Sequence, residues 1–375
     1  MTHVQTYTKM HALLEQGQSV WLDDLRRGMI VSGELDALIA DGLRGMTSNP
    51  TIFEAAIADS TDYDAAIRDP AVAGWHEREL FEKLAVDDVR AAADRFRPVY
   101  EATDGADGFV SIEVNPALAR DTEASLAEAR RLWREIGRPN VMIKIPGTRE
   151  GWAAIERGLA EGMNINITLL FSVEHYRAVA LAYIAALEAR VNAGQPIHRI
   201  ASVASFFVSR VDTEVDKRIE AQGPDSPLRD LRGQVAMANA TLAYARFREL
   251  FAGPRWEALL PYGARVQRPL WASTSTKNPA YGDVRYIEGL IGPDTVTTIP
   301  LDTLRRFEDH GGVARTVDRD VAGAHRIMDS LARGGIDFAG VARTLEEQGI
   351  RKFADSYDTL LGVLREKRAR LAARA

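Results

Sequence analysis

The sequence predicts an α/β protein built as a (β/α)8 TIM barrel with additional helices. Two features predict it: eight short apolar runs rich in β-branched residues, and longer stretches of helical spacing between them. Length is the third, because 375 residues exceed the roughly 250 that such a barrel needs and leave room for insertions. In chain order the runs are SVWLDD from Ser19, LRGMTS from Leu43, FVSIEV from Phe109, VMIKIP from Val141, INITLLF from Ile165, ASVASFFV from Ala201, PLWAST from Pro269 and TVTTIP from Thr295. Eight such runs favour closure into a barrel over an open doubly wound sheet. The gap between the second and third runs reads as inserted helices, and another long gap follows Arg210. The basic end REKRARLAARA reads as the solvated end of a last helix rather than an interaction tail. No Pro/Ser-rich linker, repeat or low-complexity segment divides the chain, so residues 1–375 are expected to form a single domain.

Composition excludes several classes of function. With 47 basic and 53 acidic residues the net charge is −6, too little positive charge to neutralise a phosphodiester backbone, so nucleic acid is not an expected partner. There is no cysteine, which excludes thiolate nucleophiles, thiolate metal sites and disulfides and suits a reducing compartment. The segment MTHVQTYTKMHALLEQGQ has no apolar signal core, and AVALAYIAALEA is too short to span a bilayer. A soluble, cytoplasmic protein that does not engage membranes is expected. The histidines, among them His76, His175 and His310, show no HExxH spacing, the acids show no EF-hand pattern, and no nucleotide-binding glycine motif occurs. No metal and no cofactor is expected.

In a barrel of this kind the site is built at the C-terminal ends of the strands, where polar residues are abundant here. Lys144 is the most informative, because VMIKIPG sets an amine in an apolar strand where its charged form is poorly solvated, as a Schiff-base nucleophile requires. A lysine simply paired to Glu113 or Asp23 is the alternative. Asp23 and Glu113 are the carboxylates placed to move protons, although either could cap a helix. Asn49, with Thr47 in MTSNPTIF, suits a helix cap before Pro50 as well as a substrate contact. Asn166 and Thr168 alternate along INITLL and share a face, which suggests a buried hydrogen-bonding surface. Ser205 follows on the next strand. Arg210, with Ser273 and Lys277 in ASTSTKN, supplies cations and hydroxyls suited to a phosphate, while pairing of Arg210 with Asp212 or Asp216 is the competing account.

Taken together, SVWLDDL, GMTSNPTIF, SIEVNP, VMIKIPGT, NINITLLFS, SVASFFVSRVD and LWASTSTKNP resemble the transaldolases, in order from about residue 17 to about residue 310. The resemblance implies a metal-free class I aldolase barrel that transfers a dihydroxyacetone unit from sedoheptulose 7-phosphate or fructose 6-phosphate to an aldose phosphate, in the non-oxidative pentose phosphate pathway. By the same resemblance Lys144 is the Schiff-base residue, Asp23 takes the C4 hydroxyl proton, and Glu113 acts through a water held with Thr168. Asn49, Asn166 and Ser205 then hold the dihydroxyacetone hydroxyls, and Arg210 and Ser273 the phosphate end. One departure stands out: where many transaldolases carry an arginine in an SFRN-like segment, this chain reads STSTKN, which makes Lys277 the candidate replacement. The length and that wording look more like the branch also found fused to a glucose-6-phosphate isomerase domain. Two rivals are a fructose-6-phosphate aldolase, whose relatives are shorter and carry Gln at Glu113 and Tyr at Phe207, and a non-catalytic sugar-phosphate binding barrel. Monomer and homodimer are both open.

Overall fold

In the computed structural model, which describes residues 7–373, each of the eight apolar runs forms a strand. They are β1 (Gln18–Leu22), β2 (Gly45–Met46), β3 (Phe109–Glu113), β4 (Val141–Pro146), β5 (Ile165–Leu170), β6 (Ser202–Phe207), β7 (Arg268–Ala272) and β8 (Thr295–Ile299). All neighbours pair in parallel, and β8 returns to β1 to close the barrel. The first residues of the N-terminal segment and the last two of the basic C-terminal stretch lie outside the described residues. Helices cover the outside, so strand side chains are buried on both faces and the runs read as nearly continuous apolar sequence.

The strand β2 is shorter than LRGMTS suggested. Asn49 caps the helix Pro50–Asp59, which takes the chain out of the sheet at once. Trp21 also lies so close to Gly45 that a Cβ there would sit 2.6 Å from its ring and 2.7 Å from the Phe109 carbonyl, so only glycine fits. Trp21 is tied to the N-terminal end of the barrel, donating from Nε1 to Asp107 at 3.0 Å. Arg268 pairs with the same carboxylate at 3.3 Å and donates to the Ser19 hydroxyl at 2.7 Å. This polar network joins β1, β7 and the segment that enters β3 at the end opposite the site.

The inserted helical stretch before β3 includes Glu77–Ala102, and the chain ends in a 35-residue helix, Phe338–Ala372. That last helix does not stay on the outer ring. It packs on the helix Pro50–Asp59, reaches the helix Ser209–Ala221 that follows β6, and touches the end of β5, so it crosses the C-terminal mouth. The crossing is close. Gly349 lies where a Cβ would meet Leu169 Cδ2 at 2.7 Å. Leu169 itself has φ +61, a costly backbone for a bulky residue, at the point where β5 shifts register against β6. Among the described residues no helix is long and apolar enough to cross a membrane.

Candidate active site

Lys144 lies between Ile143 and Ile145, which are fully buried on the opposite face of β4. In register with it stand Glu113 on β3 and Asn166 on β5, so three polar side chains cross the floor of the mouth at one level. The Lys144 amine is 3.1 Å from Glu113 Oε2, donates to the Ser48 carbonyl at 3.3 Å, and lies 5.5 Å from the centre of the Phe353 ring. Both side chains are almost wholly buried, at 6% and 2% exposure, so each charge relies on the other. The pair is in contact but not aligned as a hydrogen bond, and both Glu113 oxygens stay free of hydrogen bonds to protein. Burial pushes the Glu113 carboxyl up from its ordinary value; Lys144 pulls against this and the Asp23 charge adds to it. Thr168 Oγ1, also buried, makes no hydrogen bond to protein either. Buried polar groups in this state are ready to bind substrate or water.

Asp23 follows β1 directly, with its N–H on the Ile299 carbonyl of β8 at 2.9 Å. The Thr47 hydroxyl donates to Asp23 Oδ1 at 2.8 Å and is 2.7 Å from Thr298 Oγ1, which must then donate to it. Neither carboxylate is a cap: the next helix after Asp23 has Arg26 at its N-cap, and Asn115 caps the turn after Glu113. The capping reading does hold for Asn49, whose carbonyl accepts from Ile52 N at 3.1 Å while the residue also lines the site. Asn166 is gripped on both sides, donating to Ser111 Oγ at 3.0 Å and accepting from Ser205 Oγ at 2.7 Å.

The cationic side is built by two elements held together. Arg210 lies in the first turn of the helix Ser209–Ala221, its guanidinium 5.3 Å from the centre of the Phe207 ring. Pairing with Asp212 or Asp216 is not what the fold makes. Asp212 takes Ala236 N at 2.7 Å and Tyr286 OH at 2.8 Å, and Asp216 takes Gly233 N at 2.9 Å and Tyr281 OH at 2.6 Å. Burial lowers the Arg210 pKa, opposed by the field of Asp23. Tyr281 and Tyr286 belong to the segment that follows β7, so these two acids tie the loop bearing Lys277 to the helix bearing Arg210. Ser273, at φ +58, adds a contact to Ser209 Oγ at 2.9 Å.

A cavity of about 170 Å³ opens among these groups. Asp23, Thr47, Asn49, Lys144, Thr168, Ser205, Phe207, Arg210, Ser273 and Lys277 line it, while Glu113 and Asn166 lie behind Lys144 and Ser205. Six further residues line it that the sequence did not single out: Ala272, Ser275, Thr298, Pro300, Lys352 and Phe353. Thr298 had a signal, a hydroxyl near the end of the eighth apolar run. Lys352 and Phe353 had none, since they sit inside an amphipathic helix far along the chain. Among the described residues no group of three or more histidines and acids is gathered as a metal site would need.

Residues 20–364 match the transaldolase/fructose-6-phosphate aldolase family. A transaldolase of Saccharopolyspora erythraea is 49% identical over 96% of this chain and 98% of its own length. A transaldolase of Thermobifida fusca is 49% identical over 94% of this chain and 96% of its own. A protein of Nostoc punctiforme named transaldolase 2 is 47% identical, again over 94% and 96%.

Proposed function

The chain belongs to the transaldolase/fructose-6-phosphate aldolase family, and from that premise we propose that it is a transaldolase working through a Schiff base on Lys144. The reaction moves a dihydroxyacetone unit from a ketose phosphate, sedoheptulose 7-phosphate or fructose 6-phosphate, to glyceraldehyde 3-phosphate or erythrose 4-phosphate. With it goes a cytoplasmic place in the non-oxidative pentose phosphate pathway. The observation that carries the residue assignment is the buried contact of 3.1 Å between the Lys144 amine and Glu113.

An ammonium cannot attack a carbonyl. Glu113, raised by burial and in contact with Nζ, takes the proton, and the freed amine adds to the ketose C2. Returned through a water between Glu113 and Thr168, the proton lets the carbinolamine lose water to the imine. Asp23, held by Thr47, accepts the C4 hydroxyl proton as the C3–C4 bond breaks, and its electrons pass into the imine to leave an enamine. The aldose phosphate departs. A second aldehyde takes up the enamine carbon by the reverse steps, and water releases the new ketose. Asn49, Asn166 and Ser205 hold the three-carbon hydroxyls meanwhile, and Arg210 with Ser273 and Lys277 faces the phosphate.

Borohydride tests this reading. Incubation with fructose 6-phosphate and borohydride should add one reduced three-carbon unit to the wild-type mass, and Lys144→Arg, whose guanidinium keeps its proton, should remain unlabelled and inactive. Trapping of the Arg variant at the wild-type level would remove Lys144 from the chemistry. The fructose-6-phosphate aldolase alternative gives the same adduct but releases free dihydroxyacetone without an acceptor, so assaying that product separates the two.

A further inference from the structure

The last helix crosses the mouth with Lys352 on the cavity wall, on the same side as Arg210 and Lys277. Among the described residues, none of these three cations is paired with a carboxylate, and the two acids nearest Arg210 along its helix are taken up by Tyr281, Tyr286 and backbone N–H groups. Ser273 and Ser275 complete this wall with hydroxyls. Three like charges repel one another, with only the field of Asp23 on Arg210 to offset them, and the Lys352 amine is lowered by burial and by the fields of Arg210 and Lys277. A dianion removes that cost.

Resting on the transaldolase reading, we propose that Lys352 is a third ligand of the substrate phosphate, and that the phosphate thereby seats the last helix over the reactive lysine. The geometry joins both halves. Lys352 immediately precedes Phe353, whose ring lies over Lys144 at 5.5 Å, so whatever holds Lys352 also holds the apolar cover of the amine. A phosphate bridging Lys352 to Arg210 and Lys277 spans the last helix, the helix after β6 and the loop after β7. Lys277 alone supplies a point charge, without the fork of an arginine, which leaves phosphate oxygens for a further donor. A ketose without phosphate engages none of this.

The test separates binding from chemistry. Lys352→Met should impair turnover of fructose 6-phosphate, with KM raised about tenfold and kcat lowered by a smaller factor because the cover over Lys144 is no longer held, and should weaken inorganic phosphate, measured by calorimetry and as a competitive inhibitor, about tenfold. Lys352→Arg should restore both. Borohydride trapping with unphosphorylated dihydroxyacetone should be unaffected. A Lys352→Met variant with wild-type KM and wild-type phosphate affinity overturns the proposal, as does equal loss on phosphorylated and unphosphorylated substrates, which would mark a structural role. If wild type itself neither turns over fructose 6-phosphate nor is trapped, the transaldolase reading fails, while the calorimetric phosphate measurement still decides the role of Lys352.

Discussion

At Glu113 and Thr168 the fold leaves buried oxygens without hydrogen bonds to protein, directly beside a buried amine that pairs with Glu113 by charge alone. Such groups cost stability unless substrate or water completes them, so their retention fits a proton path better than a packing role. Glu113 is also the carboxyl that burial raises, the direction that suits a group which accepts a proton and returns it. Replacing it by Gln keeps the shape and removes that ability. Glu113→Gln should slow both imine formation and product release by about 100-fold to 10,000-fold, the usual range for a positioned acid/base. Single-turnover trapping and steady-state transfer measure the two steps separately. Rates within a few-fold of wild type in both would mean that another group moves the proton. Asn49 teaches a different lesson at this scale. Its sequence supported capping and substrate contact as alternatives, yet one carboxamide can cap through its oxygen while the residue still lines the cavity.

Between elements, the acid–tyrosine pairs do the positioning: Asp212 with Tyr286 and Asp216 with Tyr281 fasten the loop after β7 to the helix after β6. Neither pair was legible, because the tyrosines lie some 65 to 74 residues downstream and only the fold brings them near. Sequence proximity pointed instead to Arg210 as the partner of these acids. Asp212 carries a measurable signature of its burial, a pKa raised from 3.8 to about 6, with its two hydrogen bonds only partly offsetting desolvation. Because the folded value exceeds the unfolded one, the protonated form favours folding below about pH 4, and that stability is lost as pH rises through 6. A shift of this size corresponds to about 3 kcal/mol. Asn at this position is neutral at every pH. The unfolding free energy of Asp212→Asn, relative to wild type, should therefore rise by up to about 3 kcal/mol between pH 4 and pH 7 in urea titrations. A difference that does not vary with pH would show that Asp212 ionises in the fold as freely as in the unfolded chain.

Across the whole molecule the barrel was readable because its strands are buried on both faces, and each run ends where polar residues begin. Lys144, Asp23 and Glu113 were legible for the same reason, as exceptions at strand ends. What local pattern could not reveal was the path of the last helix, whose apolar face reads alike whether it lies on the outer ring or across the mouth. That path gives the mouth two electrical sides. Arg210, Lys277 and Lys352 line one wall of the cavity, while a neighbouring groove that shares Asp23 is lined by Asp24, Glu34, Asp59, Asp62 and Asp302, with Arg26 and Arg305 as its cations. On a chain of net charge −6, the proposed role of this local positive wall is to draw in a phosphate and turn it away from the acidic side. Lys277 is exposed and Lys352 is open to solvent along its length though its amine is partly desolvated, so salt reaches both, whereas the Lys144–Glu113 contact is sealed from it. Raising ionic strength from about 20 mM to about 500 mM shortens the screening length several-fold and should raise KM for fructose 6-phosphate by a similar factor, with kcat nearly constant. Trapping of unphosphorylated dihydroxyacetone is the control, since it needs Lys144 but not the cationic wall. If salt depresses both alike, the screened charges are those of the chemistry itself, and the division of the mouth into a steering wall and a shielded centre is wrong.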